Sequence, residues 1–192
     1  MDKKNKFSYA FLLGRPGCGK SAIYRRLTEK LETGGGAKKF IRLDDFPVLK
    51  ELLDKDTEEK RHVKKDGGFE VTDWTIIDEA LQVLNDRLKN MKEDDQIIFI
   101  EFARGDNRGA MKNFTDDVLS DSVIFYIKSS FEKCLTRNRA RFEQLQKDNT
   151  LDDHIVPEDL MNTYYKKDDY ETLLNEGGEE NLKKNVPARI VV

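Results

Sequence analysis

The sequence predicts a three-layer α/β fold: a five-stranded parallel sheet with helices on both faces. Short, near-continuous apolar runs of strand length recur along the chain, as expected of strands covered on both sides. Between them lie longer stretches whose apolar residues fall at helical spacing. Alternation of the two requires crossover connections, and crossovers give a parallel sheet. Size agrees, since 192 residues with 38% in the hydrophobic class and 37% charged suit one domain with a modest core and a heavily charged surface.

The apolar runs are Phe7 to Leu13, Lys39 to Leu43, Gln96 to Glu101, Val123 to Lys128 and Ala188 to Val192. The first follows a lysine-rich start that imitates a secretory leader, but it passes straight into a glycine loop, which fits a buried strand better. A helix is expected from Ala22 to Leu31 after that loop. The clearest helical stripe spans Trp74 to Met91, with Ile76, Ile77, Ala80, Leu81, Leu84, Leu88 and Met91 on one face and Thr72 or Asp73 placed to cap it. Ser129-Ser130-Phe131-Glu132 is a capping-box pattern opening a helix to about Lys147, and Glu158 and Asp159 favour the first turn of another after Pro157. The charged segment 50–69, within a broader excursion 46–73, is expected to be mobile over a site. Gly34-Gly35-Gly36 and Gly177-Gly178 read as turns within a single domain, 1–192.

Charge excludes some functions. Lys and Arg total 34 against 37 Asp and Glu, a net charge of −3, so no global attraction to a nucleic-acid backbone is expected. No apolar run reaches the roughly 18 residues of a membrane span. The two cysteines, Cys18 and Cys134, show neither metal-ligand nor disulfide-framework spacing, so a reducing cytoplasm is the expected compartment.

Gly14-Arg15-Pro16-Gly17-Cys18-Gly19-Lys20-Ser21 matches G-x-x-x-x-G-K-[ST] between an expected strand and an expected helix. Its glycines let successive N–H groups point at phosphate oxygens, and the helix adds its positive end. Lys20 is expected to reach the β- and γ-phosphates of ATP and the Ser21 hydroxyl to ligate Mg²⁺. Cys18 reads as a small residue whose N–H faces phosphate, not as a nucleophile. The wording of this loop resembles that of adenylate-kinase-like, small-molecule P-loop kinases. The segment Ile124 to Arg141 is similar to the place in those kinases where the fourth core strand enters the helix carrying lid arginines. The resemblance implies sheet order 2-3-1-4-5, and a short lid over 137–156, since no cysteine cluster or long insertion follows.

Strand C-termini converge on the ligand crevice of such sheets, which brings Asp44-Asp45 to it. The resemblance implies that an acid at this place orients or deprotonates the acceptor hydroxyl, with Asp44 the candidate base and Asp45 its alternative. Glu101 closes an apolar strand in the Walker B form and is a second candidate for holding Mg²⁺. Arg137 and Arg141, one helical turn apart, are candidates to neutralise the transferring phosphoryl group, while Arg139 points elsewhere. Asp45, Asp73 and Arg104 are candidate acceptor-binding residues, Arg104 with an anionic acceptor in view. The expected function is transfer of the γ-phosphoryl of Mg²⁺-ATP to a small-molecule, nucleoside or nucleotide acceptor. The alternative is a non-kinase NTPase or nucleotide-binding module acting as a conformational switch.

Overall fold

The computed structural model describes residues 7–34, 39–65, 68–147, 155–170 and 189–191. In chain order its elements are β1 (Tyr9–Leu13), α1 (Lys20–Thr33), β2 (Lys39–Asp44), α2 (Asp45–Lys55), β3 (His62–Lys65), β4 (Gly68–Val71) and α3 (Thr75–Lys89). There follow β5 (Gln96–Glu101), α4 (Asn107–Met111), α5 (Asp116–Ser120), β6 (Ser122–Tyr126), α6 (Phe131–Lys147), α7 (Glu158–Thr163) and β7 (Arg189–Val191).

Five strands form one sheet in the order β2-β5-β1-β6-β7, each pair parallel. The sequence reading lacked the second sheet, an antiparallel β3-β4 hairpin pairing His62 with Val71 and Lys65 with Gly68. The expected order 2-3-1-4-5 is therefore corrected, because the hairpin takes the third and fourth strands out of the main sheet. β1 lies in the middle and is buried at every position.

Alternation along β1 builds two apolar layers. Tyr9, Phe11 and Leu13 face α2 and α3 through Val48, Ala80, Leu81 and Leu84, together with Met111 and Val118 from the short α4 and α5. Ala10 and Leu12 face α1 through Ile23, Leu27 and Leu31. The stripe expected in α3 is accordingly the core face; the N-cap position is Trp74, and Asp73 just before it accepts from the Thr75 N–H through Oδ1 at 3.0 Å. At α6 the Ser130 hydroxyl accepts from the Lys133 N–H at 3.3 Å. A third, smaller cluster joins Cys18, Cys134 and Met161, with Phe131, Leu135 and Val156 packed against it. It seats α6 and α7 on the glycine loop.

The described residues of 46–73 contain two regular elements. The first is α2, opened by Asp44 as N-cap, and the second is the hairpin. Arg61 ties the hairpin base to α3, donating to Asp73 at 3.1 Å and to Glu79 at 2.6 Å. His62 Nδ1 lies 3.0 Å from Asp56 Oδ2. Of the expected lid, 148–154 lie outside the described residues, as does Gly177-Gly178. Among the described residues no helix is long and apolar enough to cross a membrane.

Candidate functional site

Sheet register assembles the site. Leu12 of β1 and Asp44 of β2 both lie opposite Glu101 of β5, so the loop after β1, the Asp44-Asp45 pair and Glu101 emerge along one edge. The edge opens into a cavity of about 540 Å³. Gly17, Gly19, Lys20 and Ser21 line one end, whereas Phe46, Phe69, Val71, Trp74 and Ile77 line the other.

The glycine loop is held in a conformation that only glycine tolerates without strain. Gly17 has φ +76°, and a Cβ there would meet the Cys134 carbonyl oxygen at 2.6 Å. Gly14, at φ +136°, lies under the Cys18 thiol and the Ile127 carbonyl, either of which a Cβ would strike. Cys18 is buried and its thiol is pushed up by that burial, with Lys20 opposing, which suits packing and not nucleophilic attack. Lys20 curls over the loop, its Nζ donating to Gly14 O at 2.9 Å and Arg15 O at 3.2 Å. Arg15 turns away from the cavity: its Nη1 pairs with Asp168 at 3.1 Å and its Nε donates to Tyr165 O at 2.8 Å. Pro16 lines the cavity beside Gly17.

From α6, Arg137 Nη1 donates to Gly17 O and Cys18 O, each at 3.2 Å, and Arg141 lines the cavity on the same helical face. Arg139 pairs instead with Glu158, its Nε donating at 2.7 Å. The geometry therefore brings Lys20 and Arg137 onto the glycine loop, with Arg141 lining the same cavity.

Across the cavity Asp44 and Asp45 have separate environments. Asp44 Oδ1 accepts from the Phe46 N–H at 3.0 Å and caps α2. Asp45 is buried and pairs with the buried Arg104, Nη2 to Oδ2 at 2.6 Å. Burial pushes the Asp45 carboxyl up from its ordinary value, and the Arg104 guanidinium partly offsets it. Arg104 also donates to Ala103 O at 2.7 Å and Ile77 O at 3.3 Å, so it presents no open fork to an anion. Asp73, the third acceptor candidate, is absent from the cavity wall. It accepts from Thr75 Oγ1 at 2.7 Å and from Arg61, and the Thr75 bonds hold its carboxyl below the usual range.

Glu101 sits at the cavity floor, largely buried, with Arg42 Nε donating to Oε2 at 2.9 Å. The same guanidinium donates to Ser21 Oγ at 2.9 Å and lies over the Tyr24 ring. Sequence reasoning missed this bridge, although the alternation Phe40-Ile41-Arg42-Leu43 aims Arg42 toward the α1 face, where Ser21 begins the helix. Aromatic rings form a wall of the cavity: Phe46 stacks on Phe69 with centroids 6.2 Å apart and Trp74 stacks on Tyr164 at 4.8 Å. Among the described residues no group of three or more His, Cys, Asp or Glu side chains gathers as a metal site.

No protein-family model matches the chain, and no curated protein sequence matches it. Solved structures that resemble it include the protein APE1195, with 17% identity, TM-score 0.48, and coverage of 79% of this chain and 78% of that one. Another is a protein of Chloroflexus aurantiacus provisionally described as a kinase, with 15% identity, TM-score 0.46, and coverage of 83% and 80%.

Proposed function

We propose that the chain is a phosphotransferase that moves the γ-phosphoryl group of ATP to the hydroxyl of a small acceptor. The observation carrying this reading is one cavity lined together by a glycine loop, Lys20, two arginines and the Asp44-Asp45 pair. Such a layout suits a reaction whose barrier falls mainly through positioning and neutralisation of charge.

On this reading the loop N–H groups and the start of α1 hold the triphosphate. Lys20 leaves the carbonyls of Gly14 and Arg15 for the β- and γ-phosphates, and Arg137 and Arg141 offset charge on the group in flight. Ser21 Oγ and Glu101, both held by Arg42, would supply two hard oxygen donors of the kind Mg²⁺ takes once that guanidinium yields them. Mg²⁺, when bound, neutralises charge between the β- and γ-phosphates. Asp44 serves as base, because Asp45 is committed to Arg104. The acceptor oxygen attacks the γ-phosphorus and its proton passes to the Asp44 carboxylate. The bond to the β–γ bridging oxygen breaks, and ADP leaves with the electron pair.

The test is Mg²⁺-ATP consumption against a panel of nucleosides, nucleoside monophosphates, sugars and cofactor precursors, with Lys20→Ala as control. One acceptor should raise turnover and yield a phosphorylated product that the variant fails to make. Hydrolysis at a rate that no acceptor changes would replace this reading with that of an NTPase switch.

A further inference from the structure

We infer that the acceptor end of the cavity is built for an uncharged, flat, hydroxyl-bearing molecule and discriminates against phosphorylated acceptors; this rests on the phosphotransferase reading above. Three observations carry it. First, the cation at that end is already used. Arg104 is 8% exposed, its Nη2 is shared between Asp45 and Ile77 O, and its Nη1 is held by Ala103 O. Its Nε is enclosed without a partner and out of reach of solvent, so neither edge of the guanidinium can take the two-pronged bond by which arginine holds phosphate. The pair is neutral as a unit.

Second, the elements that carry the aromatic wall bring carboxylates, which have the wrong sign for an anion. Asp44 at the start of α2 and Glu70 of the hairpin line the cavity there, whereas Lys20 and Arg137 rest on the glycine loop. An acceptor phosphate placed against the hairpin and α2 would face carboxylates across a partly desolvated space. Third, the walls suit a planar partner. Phe46 and Phe69 are stacked nearly parallel, with 18° between their rings, and Trp74 lines the cavity while 42% exposed, with Tyr164 stacked on it. Flat apolar faces of this kind bind rings by offset stacking without asking for charge.

Trp74 is the only tryptophan of the chain, so its fluorescence reports directly on this wall. With the loop end saturated by Mg²⁺ and a non-hydrolysable ATP analogue, adenosine, cytidine, thymidine and a neutral benzylic alcohol are titrated beside the three 5′-monophosphates and tyramine. At least one neutral probe should quench Trp74, and its monophosphate should bind at least about tenfold more weakly, the equivalent of about 1.4 kcal/mol. Asp45→Asn leaves Arg104 unpaired and should narrow that ratio about tenfold, whereas Asp45→Asn/Arg104→Met should restore it. If either variant fails to fold, discrimination by the wild-type chain decides alone. A monophosphate binding as tightly as its nucleoside overturns the inference, as does quenching by tyramine alone or by no neutral probe. Product analysis with ATP separates the two readings. Neutral probes that bind preferentially but are never phosphorylated would sink the phosphotransferase and leave the pocket's selectivity, whereas a phosphorylated monophosphate would do the reverse.

Discussion

Replacing Gly17 by Ala tests whether α6 is seated on the glycine loop. At φ +76° an alanine pays left-handed strain of about 1–2 kcal/mol. Its Cβ would also sit 2.6 Å from the Cys134 carbonyl oxygen, a distance no real contact shows. Relief requires α6 to move by more than half an ångström, and Cys134 is fully buried against Cys18 and Met161. Overpacking of that kind costs about 1–3 kcal/mol. Alanine also narrows the unfolded ensemble, which returns about 0.4–1 kcal/mol. The balance is a loss of about 2–4 kcal/mol, readable in urea as a midpoint lowered by about 1–2 M at an m-value near 2 kcal/mol/M. Nucleotide binding, followed separately with an ATP analogue, should weaken as well, because the displaced helix carries Arg137 away from Gly17 O and Cys18 O. A midpoint within about 0.3 M of wild type would refute the packing of α6 on the loop and, with it, the placement of Arg137.

Two further substitutions probe the charges that organise the site. Arg42→Ala strips the partner from a largely buried Glu101 and from Ser21 Oγ; a charged hydrogen bond is worth about 1.5–3 kcal/mol, and with a third of the arginine side chain in solvent the expected loss is about 1–2 kcal/mol in urea unfolding. An unchanged midpoint would mean that Arg42 only decorates the edge of the sheet. Asp73→Asn tests the joint between hairpin and α3 through pH. The Asp73 carboxyl is depressed below 3.8 by its Thr75 bonds, so the folded state binds fewer protons there than the unfolded one, and its contribution is present above that value and lost as pH falls through the folded pKa. The stability gap between wild type and variant should be full at pH 7 and close below about pH 4, whereas a gap independent of pH would show that the carboxylate charge plays no part.

The sequence made the central strands, the main helices and the glycine loop legible because each is written locally. A buried parallel strand shows as an apolar run, an amphipathic helix as a stripe, and a phosphate-type loop as glycines at fixed spacing. Long-range pairings were illegible for the opposite reason. Nothing in Arg42 announces that Ser21 and Glu101 will share its guanidinium, because that bridge depends on β2 lying beside β5 and on α1 covering both. Arg104 looked like a ligand for an anion, yet burial beside Asp45 gave it an internal one. The pairing of Arg61 with Asp73 and Glu79 was illegible for the same reason, since these side chains meet only once the hairpin closes on α3.

The same pairings explain why one end of the cavity differs so sharply from the other. At the loop, cations rest on carbonyl oxygens: Lys20 on Gly14 and Arg15, Arg137 on Gly17 and Cys18. A carbonyl is a weak partner for a full positive charge, so an incoming phosphate is a better one, and these side chains are poised to exchange partners when an anion arrives. At the acceptor end, Arg104 rests on a full carboxylate at 2.6 Å with almost no access to solvent. Displacing that carboxylate would strand a buried charge, at a cost of about 3–5 kcal/mol. One cavity thus contains cations held loosely enough to bind phosphate and a cation held too tightly to do so. That contrast is what supports the proposed placement of phosphate on the glycine loop and of an uncharged acceptor against Phe46, Phe69 and Trp74.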